Sequence, residues 1–153
     1  VEKISIIKIG GNIIDNEANL ASFLSAYAAV EGKKILIHGG GKLATKMAAD
    51  LNIPQQMVDG RRITDAATLK IVTMVYAGYI NKNIVAALQS KNINALGICG
   101  ADANIIRGHK RINASIDYGF VGDIDAVDTK KIVQLIESGV SLVVAPITHD
   151  GAG

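Results

Sequence analysis

Apolar residues come in two rhythms along this chain. Short, nearly continuous runs at Ile4 to Ile9, Lys34 to His38, Ile93 to Cys99 and Val140 to Ile147 have the length and composition of strands buried on both faces. Longer stretches with apolar positions three and four apart read as helices: Glu17 to Val30, Leu43 to Leu51 ending near Pro54, Ile80 to Gln89, and Asp128 to Ser138. A further helix opens after Thr64 or Asp65, either of which suits an N-cap. Its residues Leu69, Ile71, Val72, Met74, Val75 and Tyr76 cover more than one stripe, which predicts burial on two sides, against its own core and against a second subunit. Gly78 is expected to break or kink this helix before Ile80. Gln56 to Val58 reads as a short extended piece leading into an Asp59-Gly60 turn, and Asn104 to Ser115 as a hairpin turning at Gly108-His109. Strands alternating with helices predict an α/β domain with a parallel sheet covered by helices.

Composition narrows this picture. With 153 residues and 49% hydrophobic content, the chain can build one domain with a substantial core. Only 4% of residues are aromatic and Trp is absent, so Ile, Val, Leu and Ala must fill that core. The net charge is +2, with 16 Lys and Arg residues dispersed among 14 acidic ones, which offers no basic stripe for nucleic acid. No leader is visible and no apolar run approaches membrane-spanning length, so a cytoplasmic protein without a membrane partner is expected. The single cysteine, Cys99, allows no intrachain disulfide and reads as a small core residue.

Two glycine-rich turns open directly off apolar strands, Gly10-Gly11 after Ile9 and Gly39-Gly40-Gly41 after His38. Glycine lets backbone N–H groups approach an anion, and a helix starting behind the turn adds its partial positive charge. Lys8 ends the first strand, where open α/β sheets place ligands, and a buried ammonium there calls for an anionic partner. A lysine reaching into solvent and glycines serving only a tight turn are the plain alternatives. Gly39 to Ala44 also fits a loose dinucleotide-binding pattern, but Asp59, at the required spacing, lies in a polar turn and not at a strand end. A P-loop is excluded because Leu43 follows Lys42 and Leu36 stands where a glycine is required. His38, His109 and His149 lack metal-ligand spacing, so no metal site is expected. Asp102 and Asp123, beside glycines, read as turn formers, and Arg61-Arg62 as a solvated turn or a carboxylate clamp.

In their order and spacing, these segments resemble the amino-acid kinase family, and within it the kinases that phosphorylate N-acylglutamates. The carrying motifs are Lys8 to Gly11, His38 to Gly41, Asp59 to Asp65, Asn81-Lys82, Tyr118 to Asp123, and Ala145 to Ile147, which together span the chain. The resemblance implies a three-layer α/β/α sandwich with a mainly parallel central sheet. It also implies that residues 1–153 are the N-terminal acyl-amino-acid-binding half, because no N-x-N-A-D motif, second lysine or nucleotide half follows. By the same resemblance Lys8 stabilises the transferred phosphoryl group, Gly10 and Gly11 contact the phosphates of ATP, and Gly40 and Gly41 hold the reacting groups. Arg62 then binds the substrate's α-carboxylate, while Arg61 and Val121 border its acyl pocket. The implied reaction is phosphorylation of the side-chain carboxylate of an N-acylglutamate by ATP with Mg2+, in arginine biosynthesis, by a homodimer. The isolated chain is expected to be inactive, and its start almost at the first strand suggests insensitivity to arginine. Lys42 and Arg61 depart from the family pattern and add positive charge, which leaves the acyl group open. Another carboxylate or carbamate kinase and a non-catalytic ligand-binding module are the alternatives.

Overall fold

The computed structural model describes residues 3–112 and 115–153. Four strands, β1 (Ile4–Ile9), β2 (Lys33–His38), β5 (Ala95–Cys99) and β8 (Ser141–Ala145), form one parallel sheet in the order β1-β2-β8-β5. Two antiparallel hairpins stand apart from it, β3 (Gln56–Val58) with β4 (Arg61–Ile63), and β6 (Ile106–Lys110) with β7 (Gly122–Val127).

Alternation along the strands splits the core into two layers. Leu36 and Val143 face a cluster that holds Leu24 and Tyr27 of α2 (Glu17–Ala29), Ala44 and Ala48 of α3 (Gly41–Asp50), and Ile71 and Val72 of α4 (Ala66–Thr73). Ile84 and Leu88 of α5 (Asn81–Gln89) complete that layer. Ile35, Leu142 and Ile98 face the other way, onto Ile136 of α6 (Thr129–Glu137) and Ile105. Helices on both faces of a parallel sheet make the three-layer α/β/α sandwich expected from the sequence. On β1 the second layer gives out: Ile6 remains 66% exposed, and Lys8 beyond it is exposed too.

The caps follow simple chemistry. Asn16 accepts from Asn19 N–H at 2.9 Å, Asp65 from Thr68 N–H at 2.8 Å and Asp128 from Lys131 N–H at 3.0 Å, each satisfying a first-turn donor. At the far end of α2, the buried Lys34 ammonium donates to the carbonyls of Tyr27, Ala28 and Val30, so a charge is buried only with its protons fully used.

Several expectations are corrected. Gly78 breaks nothing: α4 runs through a π-helical segment, Met74–Ile80, straight into α5. The widened turns absorb the misfit that would otherwise end the helix. The result, Ala66–Gln89, is 24 residues long and apolar enough by length and composition to cross a membrane, contrary to the reading that no run approaches that length. In this fold its apolar side packs on the sheet through Ile71, Val75, Ile84 and Leu88. Gly108 and His109 do not form a turn but lie inside β6, which pairs with β7; residues 113–114 of the expected hairpin lie outside the described residues. Gly108 is required because a Cβ there would stand 2.4 Å from the Asp123 carbonyl oxygen, at a register shift in the ladder. Asp123 is accordingly a strand residue paired with Arg111, whereas Asp102 does serve a turn, accepting from Cys99 N–H at 2.6 Å. The strands at Ile93 and Val140 start two and one residues later than the apolar runs suggest.

Candidate active site

All four parallel strands end on one side of the molecule, and the candidate residues gather there. After β1 the chain turns at Gly10 into α1 (Gly11–Ile14), a single turn of helix not foreseen from the sequence. After β2 it turns at Gly39 and Gly40 into α3. The N–H groups of the first turn of such a helix are not spent in its ladder. Lys42 Nζ donates to Asn12 Oδ1 at 3.0 Å, joining the two glycine turns. Lys8 lies directly across from Ile37 in the β1–β2 register, so both side chains leave the sheet on the same face. Ile37 is a wall of the main cavity; Lys8 therefore stands beside it, exposed and with no hydrogen-bond or ion-pair partner among the described residues.

That cavity, about 680 Å³, lies between the ends of β2 and β8, the β4 strand, the long helix and the β6–β7 hairpin. Apolar walls come from Leu69, Val72, Phe120, Val121 and Ile124, and polar groups from Arg61, Arg62, Tyr76, Arg111 and Thr148. The segment before β7 is clasped to the end of β4: Thr64 N–H donates to the Tyr118 carbonyl at 2.9 Å and Phe120 N–H to the Thr64 carbonyl at 2.7 Å. Gly119, at φ +72, allows this approach, since a Cβ would stand 2.2 Å from the Thr64 carbonyl oxygen.

Arg62 links the cavity to the second glycine turn. Its Nη2 donates to the Gly41 carbonyl at 2.9 Å and to Thr45 Oγ1 at 2.8 Å, and its Nη1 to Gln55 Oε1. These neutral acceptors fix the planar fork without neutralising it, and Nε keeps no acceptor among the described residues. The guanidinium is thus held in one orientation with no carboxylate among its partners. Tyr76 lies close enough to feel the Arg62 charge, although burial outweighs it and pushes the phenol above its ordinary pKa.

The structure brings Arg61, Arg62 and Val121 into one cavity, while Lys8 lies outside its lining, exposed and not buried as the sequence reading had it. Gly10, Gly11, Gly40 and Gly41 sit at the strand ends beside it, outside its walls, with Arg62 as the direct contact between Gly41 and the cavity. Arg61 is exposed and lines the cavity at once, so its two readings meet in one position. Arg111 was missed. It lies in a stretch without periodicity, and its pairing with Asp123, Nε to Oδ1 at 2.9 Å, depends on a hairpin the sequence does not announce. That ion pair holds the Asp123 carboxyl below the usual carboxylate range.

Beneath the Gly39-Gly40 turn lies a buried polar chain. His38, 1% exposed, meets the Gly39 carbonyl through Nδ1 at 2.9 Å and Asn81 Nδ2 through Nε2 at 3.1 Å. Asn81, fully buried, also donates to the Val143 carbonyl at 3.0 Å, and Lys82 Nζ donates to Asn81 Oδ1 at 3.0 Å and to the Gly97 carbonyl at 2.8 Å. Gly97 is a glycine because a Cβ would stand 2.0 Å from Asn81 Oδ1.

A parallel sheet between helices, with glycine turns at its strand ends and an arginine-lined cavity beside them, is an α/β domain with a ligand-sized site where such sheets offer one, and the chain belongs to the amino acid kinase family, whose sequence profile matches residues 3–153. Its relatives include the acetylglutamate kinases of Bacteroides fragilis, 57% identical over 99% of this chain, and Cytophaga hutchinsonii, 58% identical over all of it. A more distant acetylglutamate kinase, from Methanopyrus kandleri, is 36% identical over 97% of the chain. The chain spans about 58% of the length of each of these proteins. Among solved structures, N-acetylglutamate synthase of Neisseria gonorrhoeae, with coenzyme A and N-acetyl-glutamate, superposes over 98% of this chain and 35% of its own, with a TM-score of 0.78 at 20% identity. An isopentenyl phosphate kinase superposes over 93% of this chain and 56% of its own with a TM-score of 0.54 at 21% identity, so the two establish a shared fold.

Proposed function

We propose that this chain is the acyl-amino-acid-binding portion of an enzyme that transfers the γ-phosphoryl group of ATP to the side-chain carboxylate of N-acetyl-L-glutamate, a step in arginine biosynthesis. The observation that carries this reading is Arg62, a fixed and unneutralised guanidinium that lines the cavity and grips the Gly41 turn. In this reading Arg62 binds the substrate's α-carboxylate, with Arg61 and Val121 beside the acyl group. The side-chain carboxylate then lies against Gly40 and Gly41, with Lys8 and the Gly10 and Gly11 amides toward the phosphates.

The residue set suits the chemistry. A glutamate carboxylate with a pKa of about 4.3 is ionised at neutral pH and needs no general base to attack phosphorus. The task is to align it against a polyanion and to neutralise the charge on the transferring group. In this reading Mg2+ would travel on the nucleotide phosphates. The nucleotide itself would be held by the part of the protein that corresponds to the remaining length of the relatives. A cytoplasmic homodimer belongs to the same proposal, with the exposed Met74 and Tyr79 on the long helix as its apolar contacts.

Arg61 favours a second reading of the acyl group. With Arg61 and Arg111 both on the cavity and only Arg111 paired to a carboxylate, N-succinylglutamate would supply the missing anionic partner. The test is ATP-dependent acyl-phosphate formation by the full-length protein, trapped as hydroxamate, with each acylglutamate, in wild type and Arg61→Leu. Phosphorylation of neither substrate overturns the kinase reading. A wild-type preference for acetyl that Arg61→Leu leaves unchanged removes the succinyl one.

A further inference from the structure

The buried chain Lys82–Asn81–His38 has a direction, set by which atoms can donate. Lys82 Nζ has only protons to give, so the Asn81 atom 3.0 Å from it is the oxygen. The Asn81 NH2 group therefore faces the Val143 carbonyl and His38 Nε2, which must accept. With Nε2 accepting, the imidazole proton is on Nδ1, where it donates to the Gly39 carbonyl 2.9 Å away. One ammonium thus sets an amide, the amide sets a tautomer, and the tautomer holds a backbone carbonyl.

The consequence falls on the next peptide group. No peptide bond in the described chain is cis, so the Gly40 N–H points opposite to the Gly39 carbonyl. Pinning that carbonyl against His38 aims the Gly40 N–H away from the buried side. The other flank is closed as well: a Cβ on Gly40 would stand 2.2 Å from Ile80 Cδ1 and 3.1 Å from Tyr76 Cδ1, both on the π-helical segment. The glycine turn is therefore clamped from its carbonyl side by His38 and from its Cα side by the long helix.

We propose that His38, held by Asn81 and Lys82 as the neutral Nδ1–H tautomer, is a positioning residue that aims the Gly40 amide at the transferring phosphoryl group. The role rests on the kinase reading above. It acts on the transition state because a backbone donor contributes most when its direction is already set as charge develops. Around His38 the polar groups are the Gly39 carbonyl and Asn81, with Val143 behind Asn81 on β8 and Lys82 as the one charged group reaching the chain. Among the described residues no carboxylate bonds to the ring, and burial holds its pKa below the ordinary value.

The experiment uses the full-length protein with 15N-labelled histidine. Nitrogen chemical shifts should show His38 neutral, protonated on Nδ1 and unprotonated on Nε2 from pH 8 to about 6. In kinetics, His38→Gln, which reaches Asn81 but not the Gly39 carbonyl, should lower kcat about tenfold to a hundredfold while KM for the acylglutamate stays within about threefold. His38→Asn, whose amide can take the place of Nδ1–H, should restore most of that loss. An Nε2–H tautomer, or an imidazolium forming near pH 6.5, overturns the proposal whether or not any variant folds. So does a His38→Gln enzyme with wild-type kcat. A wild-type protein without phosphoryl transfer would remove the kinase reading and with it the proposed role, while an Nδ1–H tautomer would show that the relay itself is intact.

Discussion

Gly40 and Gly10 both follow a strand and precede a helix, yet the backbone asks different things of them. Gly40 has φ +154 and no room for a Cβ, whereas Gly10 has φ −99 with nothing within 4 Å of a Cβ. Gly40→Ala should therefore lower unfolding free energy by about 1–3 kcal/mol, from strain and displacement of Ile80 and Tyr76. Gly10→Ala should stay within about 0.5 kcal/mol, and urea midpoints at constant m-value would separate the two. His38 gives a pH signature. Its folded pKa is depressed by burial, so the unfolded chain binds the extra proton first as pH falls. Stability should be complete above about pH 6.5 and decline as pH drops from there toward the folded value. The cap and ion-pair carboxylates of Asp65, Asp123 and Asp128, whose pKa values are lowered, act elsewhere. Their contribution is present above the ordinary carboxylate range near pH 4 and is lost only below it. Melting temperatures from pH 7 to pH 5 should thus fall in wild type and fall less in His38→Asn.

At the scale of elements, the helix from Ala66 to Gln89 organises the site: its first half lines the cavity through Leu69 and Val72, its π-helical turn presses on Gly40, and Asn81 begins its last part. A π-helical turn shifts every later residue around the axis, which lets Tyr76, Ile80 and Asn81 all face the glycine turn while Ile84 and Leu88 still meet the core. The sequence showed this helix as unusually apolar but placed a break at Gly78, because helix propensity counts against glycine and says nothing of packing. Ile84→Ala, at a fully packed position, should cost about 2–5 kcal/mol. Met74→Ala, 48% exposed, should leave the stability of a monomer within about 0.5 kcal/mol. Chemical denaturation of both variants checks the assignment of the buried face.

For the whole molecule, the exposed apolar positions suggest how the domain is used. Met74 and Tyr79 stand on the outer side of the long helix, and Ile6 on the strand at one end of the sheet. If a second copy covers the helix, as the proposed homodimer requires, Tyr79→Glu should convert a dimer into a monomer in light scattering without loss of secondary structure, because an unpaired carboxylate in an apolar contact is costly. The 153-residue chain carries the cavity, Arg62 and both glycine turns, but spans only about 58% of the length of its kinase relatives. We expect it to bind an acylglutamate weakly and to show no steady turnover with ATP. Hydroxamate accumulating in proportion to the purified fragment would contradict this.

The four strands of the parallel sheet, the main helices between them and the two glycine turns were written in the sequence, because hydrophobic period and glycine placement are local signals that survive in one dimension. Lys8 and Arg61-Arg62 drew attention by their place beside glycine turns, and Val121 only through the family resemblance, so their roles belong to the proposal. What the sequence could not determine depended on approach between distant segments. Gly108 faces Asp123 across a hairpin, Arg111 finds the same Asp123 as its ion-pair partner, and Gly97 makes room for Asn81. The His38–Asn81 contact joins residues 43 apart and has direction only because Lys82, Val143 and Gly39 surround it. Hydrogen bonding is decided by angle and distance, which only the folded chain supplies, and so the residue that aims the Gly40 amide became legible in the tertiary structure alone.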